Sequence, residues 1–265
     1  MTSLEAPIVC VLSNARSGST ALRSALAGSG RLKDFGEIFH NDRSLTPLPF
    51  LDFLERWRNP LLAAFDWNEC AAISQAYLQQ LRFESFNQQP LIDIKHNAWN
   101  VLRPLWQFPH DQPLFLTALK SARAIFVQLK RENLAEQIIS YMIATDTNLW
   151  HSQVTIADIP GHLIGRRLDP ILFEKLCRLF ERAEAQTEEF LLGYSSRLTL
   201  TYEETFANGV LTRDAAERLG ARVGVEIRQA ALSLQPNSIS KREIIANYDE
   251  LCEIAQAIKL KRIKA

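Results

Sequence analysis

In 265 residues, thirty lysines and arginines balance thirty aspartates and glutamates, and 47% of the side chains are hydrophobic. That length suits one large α/β domain over residues 1–265, and the zero net charge provides no field for non-specific binding to nucleic acid or a membrane surface, so any anion site must be local. Cys10, Cys70, Cys177 and Cys252 are scattered without CxxC spacing, no apolar run has membrane-spanning length and no signal peptide opens the chain, so the expectation is a soluble, cytoplasmic protein without a zinc or disulfide framework.

Pro7 to Leu12 is a continuous apolar run rich in Val, which reads as a buried parallel strand. It passes through Ser13-Asn14-Ala15-Arg16-Ser17-Gly18-Ser19-Thr20 into a helical run from Ala21 to Ala27. Strand, small polar turn and helix start make a phosphate cradle. Gly18 permits a tight turn, and the first N–H groups of the helix have no intrahelical partners and form the positive end of its dipole. Ser17, Ser19 and Thr20 add hydroxyls, and Arg16 adds a planar fork suited to phosphate or sulfate oxygens.

Gly28-Ser29-Gly30 stops that helix, and Leu32 to Asn41 returns toward the cradle carrying Glu37 and His40. Residues 42–66, with Pro47, Pro49, Pro60 and several aromatics, read as short helices broken by turns, a lid or an acceptor-binding insert. Asn68 is the expected N-cap of a helix running to about Asn87. Leu91 to Lys95 is a second strand, with Lys95, His96 and Asn97 at its carboxyl end, where ligands sit in open α/β sheets. Residues 99–120 read as short helices interrupted by prolines. Ala124 to Leu129 is a third strand, leading through Lys130-Arg131-Glu132-Asn133 into a helix over Leu134 to Thr145 that contains Ser140.

Residues 151–169 carry no regular pattern. Pro170 to Leu192 is a long amphipathic helix with Leu172, Leu176, Leu179, Phe180, Ala183 and Phe190 as its apolar stripe. Arg197 to Glu203 alternates as a fourth strand, Thr212 to Leu219 forms a helix stopped by Gly220, and Ser240 to Ala257 forms the last helix. Alternating strands and helices predict a three-layer α/β/α fold around a central parallel sheet, P-loop-like in its nucleotide-binding start. A P-loop kinase or NTPase would need Gly-x-x-x-x-Gly-Lys, whereas Gly18 is followed by Ser19.

Four stretches together resemble the sulfotransferases that use 3′-phosphoadenosine 5′-phosphosulfate (PAPS), in particular the bacterial carbohydrate branch of the trehalose and nodulation-factor type. Asn14 to Thr20 is similar to that family's 5′-phosphosulfate loop. Gly36-Glu37-Ile38-Phe39 is similar to the segment that carries its general base. Leu129 to Ser140 is similar to its 3′-phosphate element, and Asn247-Tyr248-Asp249-Glu250-Leu251 resembles a C-terminal stretch of the same family.

The resemblance implies a PAPS donor, with 3′-phosphoadenosine 5′-phosphate (PAP) as product, no required metal, and a hydroxyl acceptor such as a carbohydrate or glycolipid. It places Arg16, Ser17, Gly18, Ser19 and Thr20 on the 5′-phosphosulfate, Arg131 and Ser140 on the 3′-phosphate, Glu37 as base, and Lys95 on the leaving phosphate. His96 is the rival base, with His40 and His110 behind it. Tyr202-Glu203 resembles the family's Tyr-Glu pair, but Thr205 stands where a Leu is usual; Lys241 and Arg242 are further candidates to close over the nucleotide. The competing readings are a non-catalytic PAP or PAPS sensor and a nucleoside-phosphate kinase. Acceptor identity and oligomeric state stay open, a homodimer included.

Overall fold

The computed structural model describes residues 6–57, 66–98, 113–147, 150, 161, 164–227 and 240–263. Five parallel strands, β1 (Val9–Ser13), β2 (Leu32–Glu37), β3 (Gln89–Lys95), β4 (Ile125–Lys130) and β5 (Arg197–Thr201), form one sheet in the order β2-β3-β1-β4-β5. β1 lies in the middle, with Val9 opposite both Leu91 and Ile125. A strand in that position buries both faces, and its side chains alternate between them. Val9 and Val11 pack with α1 (Ser19–Ala27) and α8 (Arg213–Val223). Ile8, Cys10 and Leu12 pack on the other face with α3 (Trp67–Glu84) and α4 (Leu114–Ser121), behind α2 (Phe50–Glu55). The architecture is therefore the expected three-layer α/β/α fold with a central parallel sheet.

A third apolar cluster joins α5 (Leu134–Thr147), α6 (Pro170–Phe190), α9 (Lys241–Ile244) and α10 (Tyr248–Ile263), and Ala15 of the cradle loop packs against it. The loop after β1 is thus clamped between the sheet and a helical subassembly.

Several expectations shift. Leu32–Glu37 is a strand, read in the sequence only as a returning segment; as an edge strand with Lys33, Asp34 and Glu37 it lacks an apolar run. The buried stripe of α6 is Phe173, Cys177, Phe180, Thr187 and Phe190, while Leu172 and Leu179 are 45% and 55% exposed. Phe173 and Phe180, each one residue after an exposed leucine, bury more area and set the helix rotation; Phe180 and Phe190 belong to the expected stripe. α3 is capped by Asp66, whose Oδ1 accepts from the N–H of Asn68 at 2.7 Å, so Asn68 lies inside the helix. α8 runs through Gly220, where a Cβ would meet the Val225 carbonyl at 2.9 Å, and ends at Gly224 instead.

β5 stops at Thr201, because Thr201 and Glu204 form a capping box that opens the short helix α7 (Tyr202–Thr205). β6 (Phe206–Ala207) and β7 (Val210–Leu211) then form a small hairpin around Asn208-Gly209, both at positive φ. The last helix is broken between α9 and α10, where Ile245 pairs with Arg166 and Ala246 donates to the Arg166 carbonyl. The region 42–57 is broken as expected into a 3-10 turn at Arg43–Leu45 and α2, whereas the expected elements over 58–65 and 99–112, and most of 146–168, lie outside the described residues.

Candidate functional site

The loop from Ser13 to Gly18 is held by its carbonyls. Ser17 Oγ donates to the Asn14 carbonyl at 2.9 Å, Gln137 Nε2 to that of Ala15 at 2.9 Å, and Arg131 Nη1 to that of Arg16 at 3.0 Å. Because each peptide is planar and trans, a carbonyl drawn toward α5 turns the next N–H the other way. Arg16 and Gly18 take positive φ, 61° and 89°, which completes the reversal. α1 then begins without a side-chain cap, and the N–H groups of Gly18, Ser19 and Thr20 meet no acceptor among the described residues. Such a set of converging donors at a helix start is an anion-binding concavity. Ser17 is buried and its hydroxyl serves the turn itself.

Cations converge on the same loop. Arg16 Nε donates to Ser140 Oγ at 3.0 Å, and its Nη1 donates to the Trp150 carbonyl. Arg131 lies over the Tyr202 ring at 4.9 Å, and its buried Nε has no hydrogen-bond partner among the described residues. Burial and then the neighbouring Arg131 push the Arg16 guanidinium below its ordinary value. Lys241 joins them: burial lowers its ammonium, Glu136 pulls it back, and Arg131 and Arg16 lower it further. Lys241 pairs with Glu136, which also accepts from Tyr248 at 2.8 Å. Against the upward push of burial, Lys241, Tyr248 and Arg131 hold the Glu136 carboxyl below its ordinary value. Three cations and one carboxylate leave a positive excess whose mutual repulsion a bound anion would relieve.

A second charged group adjoins the start of α1. Lys95, at the end of β3, directs its Nζ to Ser19 Oγ at 2.5 Å, Asp93 Oδ2 at 2.7 Å, Glu37 Oε1 at 3.1 Å and Ser13 Oγ at 3.4 Å. Glu37 reaches this place because β2 is irregular between Asp34 and Glu37, which brings Glu37 opposite Asp93. Arg23, one turn into α1, grips both oxygens of Asp34 through Nη1 at 2.7 and 2.6 Å and lies 3.3 Å from Asp93 through Nε. Burial opposes the Arg23 charge, but Asp93 and Asp34 together hold its guanidinium above the ordinary value.

The fold therefore brings Arg16, Arg131, Ser140 and Lys241 to one side of the cradle, and Ser19, Lys95 and Glu37 to the other. His96 is buried, and burial followed by the Lys95 charge pushes its ring down to about 3, so it is a poor proton acceptor. His40 serves a turn, with Nδ1 accepting from the Asp42 N–H at 2.9 Å; His110 lies outside the described residues. Glu203 caps α5 by accepting from the N–H groups of Glu132 and Asn133 at 2.9 and 3.1 Å, while the Tyr202 ring roofs Gly18. Thr205 is buried and donates back to the Thr201 carbonyl at 2.5 Å. Arg242 turns outward to Asp249 at 2.7 Å. Asn247 clamps the backbone of Leu168, accepting from its N–H and donating to its carbonyl, each at 3.0 Å.

Asp93, Arg23 and Glu136 were missed in the sequence. For Asp93 a signal existed: a charge inside the run Leu91-Ile92-Asp93-Ile94 must be buried and therefore partnered. Arg23 and Glu136 are surface-like charges on helices and give no such sign. No protein-family model matches the chain, and no curated protein matches it in sequence.

Proposed function

We propose that the protein is a sulfotransferase that moves a sulfuryl group from PAPS to a hydroxyl of a carbohydrate, lipid or other small molecule. The observation that carries this reading is the joining, through Lys95, of a cationic cradle at the start of α1 to a carboxylate, Glu37. Arg16 and the free N–H groups of the helix start would hold the 5′-phosphosulfate. Arg131 and Ser140 would take the 3′-phosphate, with Lys241 as a third cation. The Arg131 Nε, without a hydrogen-bond partner among the described residues, and the over-positive cluster fit a doubly phosphorylated ligand.

Sulfuryl transfer is an in-line displacement governed by positioning and electrostatics, as phosphoryl transfer is. The acceptor oxygen forms a bond to sulfur while the bond from sulfur to the 5′-phosphate oxygen breaks. The acceptor's proton passes to Glu37, and the charge gathering on the departing phosphate is met by Lys95 and the α1 N–H groups. A sensor that binds PAP without transferring would need the cradle alone. Lys95 linking that cradle to Glu37 favours an enzyme.

The test is transfer of labelled sulfuryl groups from PAPS to a panel of hydroxyl compounds. The wild-type protein is expected to label at least one carbohydrate or lipid acceptor, and Glu37→Gln is expected to bind PAP normally while losing transfer. PAP binding with no transfer to any acceptor would leave the sensor reading in its place.

A further inference from the structure

We infer that Asp93 is the positioning residue of this site: with Arg23 as its counter-cation, it fixes the Lys95 ammonium at the junction between Ser19 and Glu37. The inference deepens the sulfuryl-transfer reading and rests on it. Asp93 is fully buried in β3, two residues before Lys95, so both side chains leave the same face of the strand and lie beneath α1. An ammonium has three N–H donors. The three nearest oxygens around Lys95 are those of Ser19, Asp93 and Glu37, at 2.5, 2.7 and 3.1 Å. Each marks one corner of the ammonium's position, and Asp93 is the corner that neither substrate nor solvent reaches.

Five charged groups meet here: the carboxylates Asp34, Asp93 and Glu37, and the cations Arg23 and Lys95. Arg23 is engaged in a fork on Asp34 and approaches Asp93 only through Nε. Asp93 is thereby left with its second oxygen unbonded among the described residues and with Lys95 as its closest cation. A lysine stem is long and flexible, so without Asp93 the ammonium would follow Glu37 or the ligand. Held by Asp93, it bears at once on the leaving phosphate at Ser19 and on the carboxylate that accepts the proton.

Asp93→Asn keeps the shape and removes the charge. In the full-length protein supplied with PAPS and an accepted hydroxyl compound, the kcat of Asp93→Asn is expected to fall about 100-fold, the scale of a misplaced catalytic group. Its affinity for PAP, carried mainly by Arg16, Arg131 and the α1 N–H groups, is expected to fall by far less than kcat, and the Asp93→Asn/Lys95→Ala double variant to be no slower than Lys95→Ala alone. Additive losses, or PAP affinity falling in step with kcat, would overturn the assignment. Should Asp93→Asn fail to fold, lysine ammonium NMR on the unliganded wild-type protein decides, with Lys95 assigned through Lys95→Arg: a held ammonium gives one slowly exchanging signal, and fast exchange overturns the inference. A wild-type protein that binds no PAP refutes the parent reading, whereas normal PAP binding with a fast-exchanging Lys95 refutes the inference alone.

Discussion

Gly18 is the point where the cradle's shape can be tested with one methyl group. A Cβ at this position would lie 2.6 Å from Tyr202 Cδ2 and 2.8 Å from Cε2, on a residue whose φ is 89°. The left-handed backbone costs a non-glycine residue about 1–2 kcal/mol, and forcing a rigid ring out of a packed place adds about 1–3 kcal/mol. Gly18→Ala should therefore lose about 2–5 kcal/mol, read as a melting temperature lower by about 5–15 °C for a chain of this size. Because Arg131 lies over the same ring, the displacement should also weaken PAP binding. Urea titration of the single variants and of Gly18→Ala/Tyr202→Ala separates the two terms, since removing the ring leaves only the backbone cost of about 1–2 kcal/mol. Gly18→Ala with wild-type stability, or with the same loss whether or not Tyr202 is present, would refute this account of the loop.

Glu37→Gln should lower the transfer rate by about 100-fold or more while the melting shift with PAP stays unchanged, because a general base acts on the transition state. Asn247→Ala should destabilise the protein by about 1–3 kcal/mol in urea titration, since it strands the N–H and carbonyl of Leu168. The Glu136 carboxyl is held below its ordinary value, so the stability it contributes is present above about pH 4.3 and is lost as pH falls through the folded-state value. Glu136→Gln should flatten that acid-side slope in a pH series of melting temperatures. For His96, with its ring pushed down to about 3, the unfolded chain binds the extra proton, so stability should fall as pH drops from about 6.5 toward about 3, less so in His96→Gln.

The parallel sheet was legible because β1, β3 and β4 are buried on both faces and therefore read as apolar runs. β2 was not, since an edge strand tolerates Lys33, Asp34 and Glu37. Gly18 and Arg16 could be placed at the site from local pattern, as they lie between a strand end and a helix start, whereas Arg131 and Ser140 entered only through the family resemblance. What the sequence withheld was partnership across elements. Arg23 meets Asp93 and Asp34 only because α1 packs on β2 and β3, and Lys241 meets Glu136 only because α9 packs on α5. The break between α9 and α10 follows from pairing with residues 165–168, a long-range event with no local signature.

The PAPS donor is tested by the melting temperature of the wild-type and Arg131→Ala proteins with PAP, AMP, ADP and ATP. At a concentration of about 100 times its dissociation constant, a ligand specific to the folded state contributes about 2.7 kcal/mol. PAP is expected to stabilise the wild-type protein by this amount, the nucleotides lacking a 3′-phosphate to stabilise it far less, and Arg131→Ala to remove the difference. Equal stabilisation by ATP, or a preference for PAP that survives Arg131→Ala, would contradict the donor assignment.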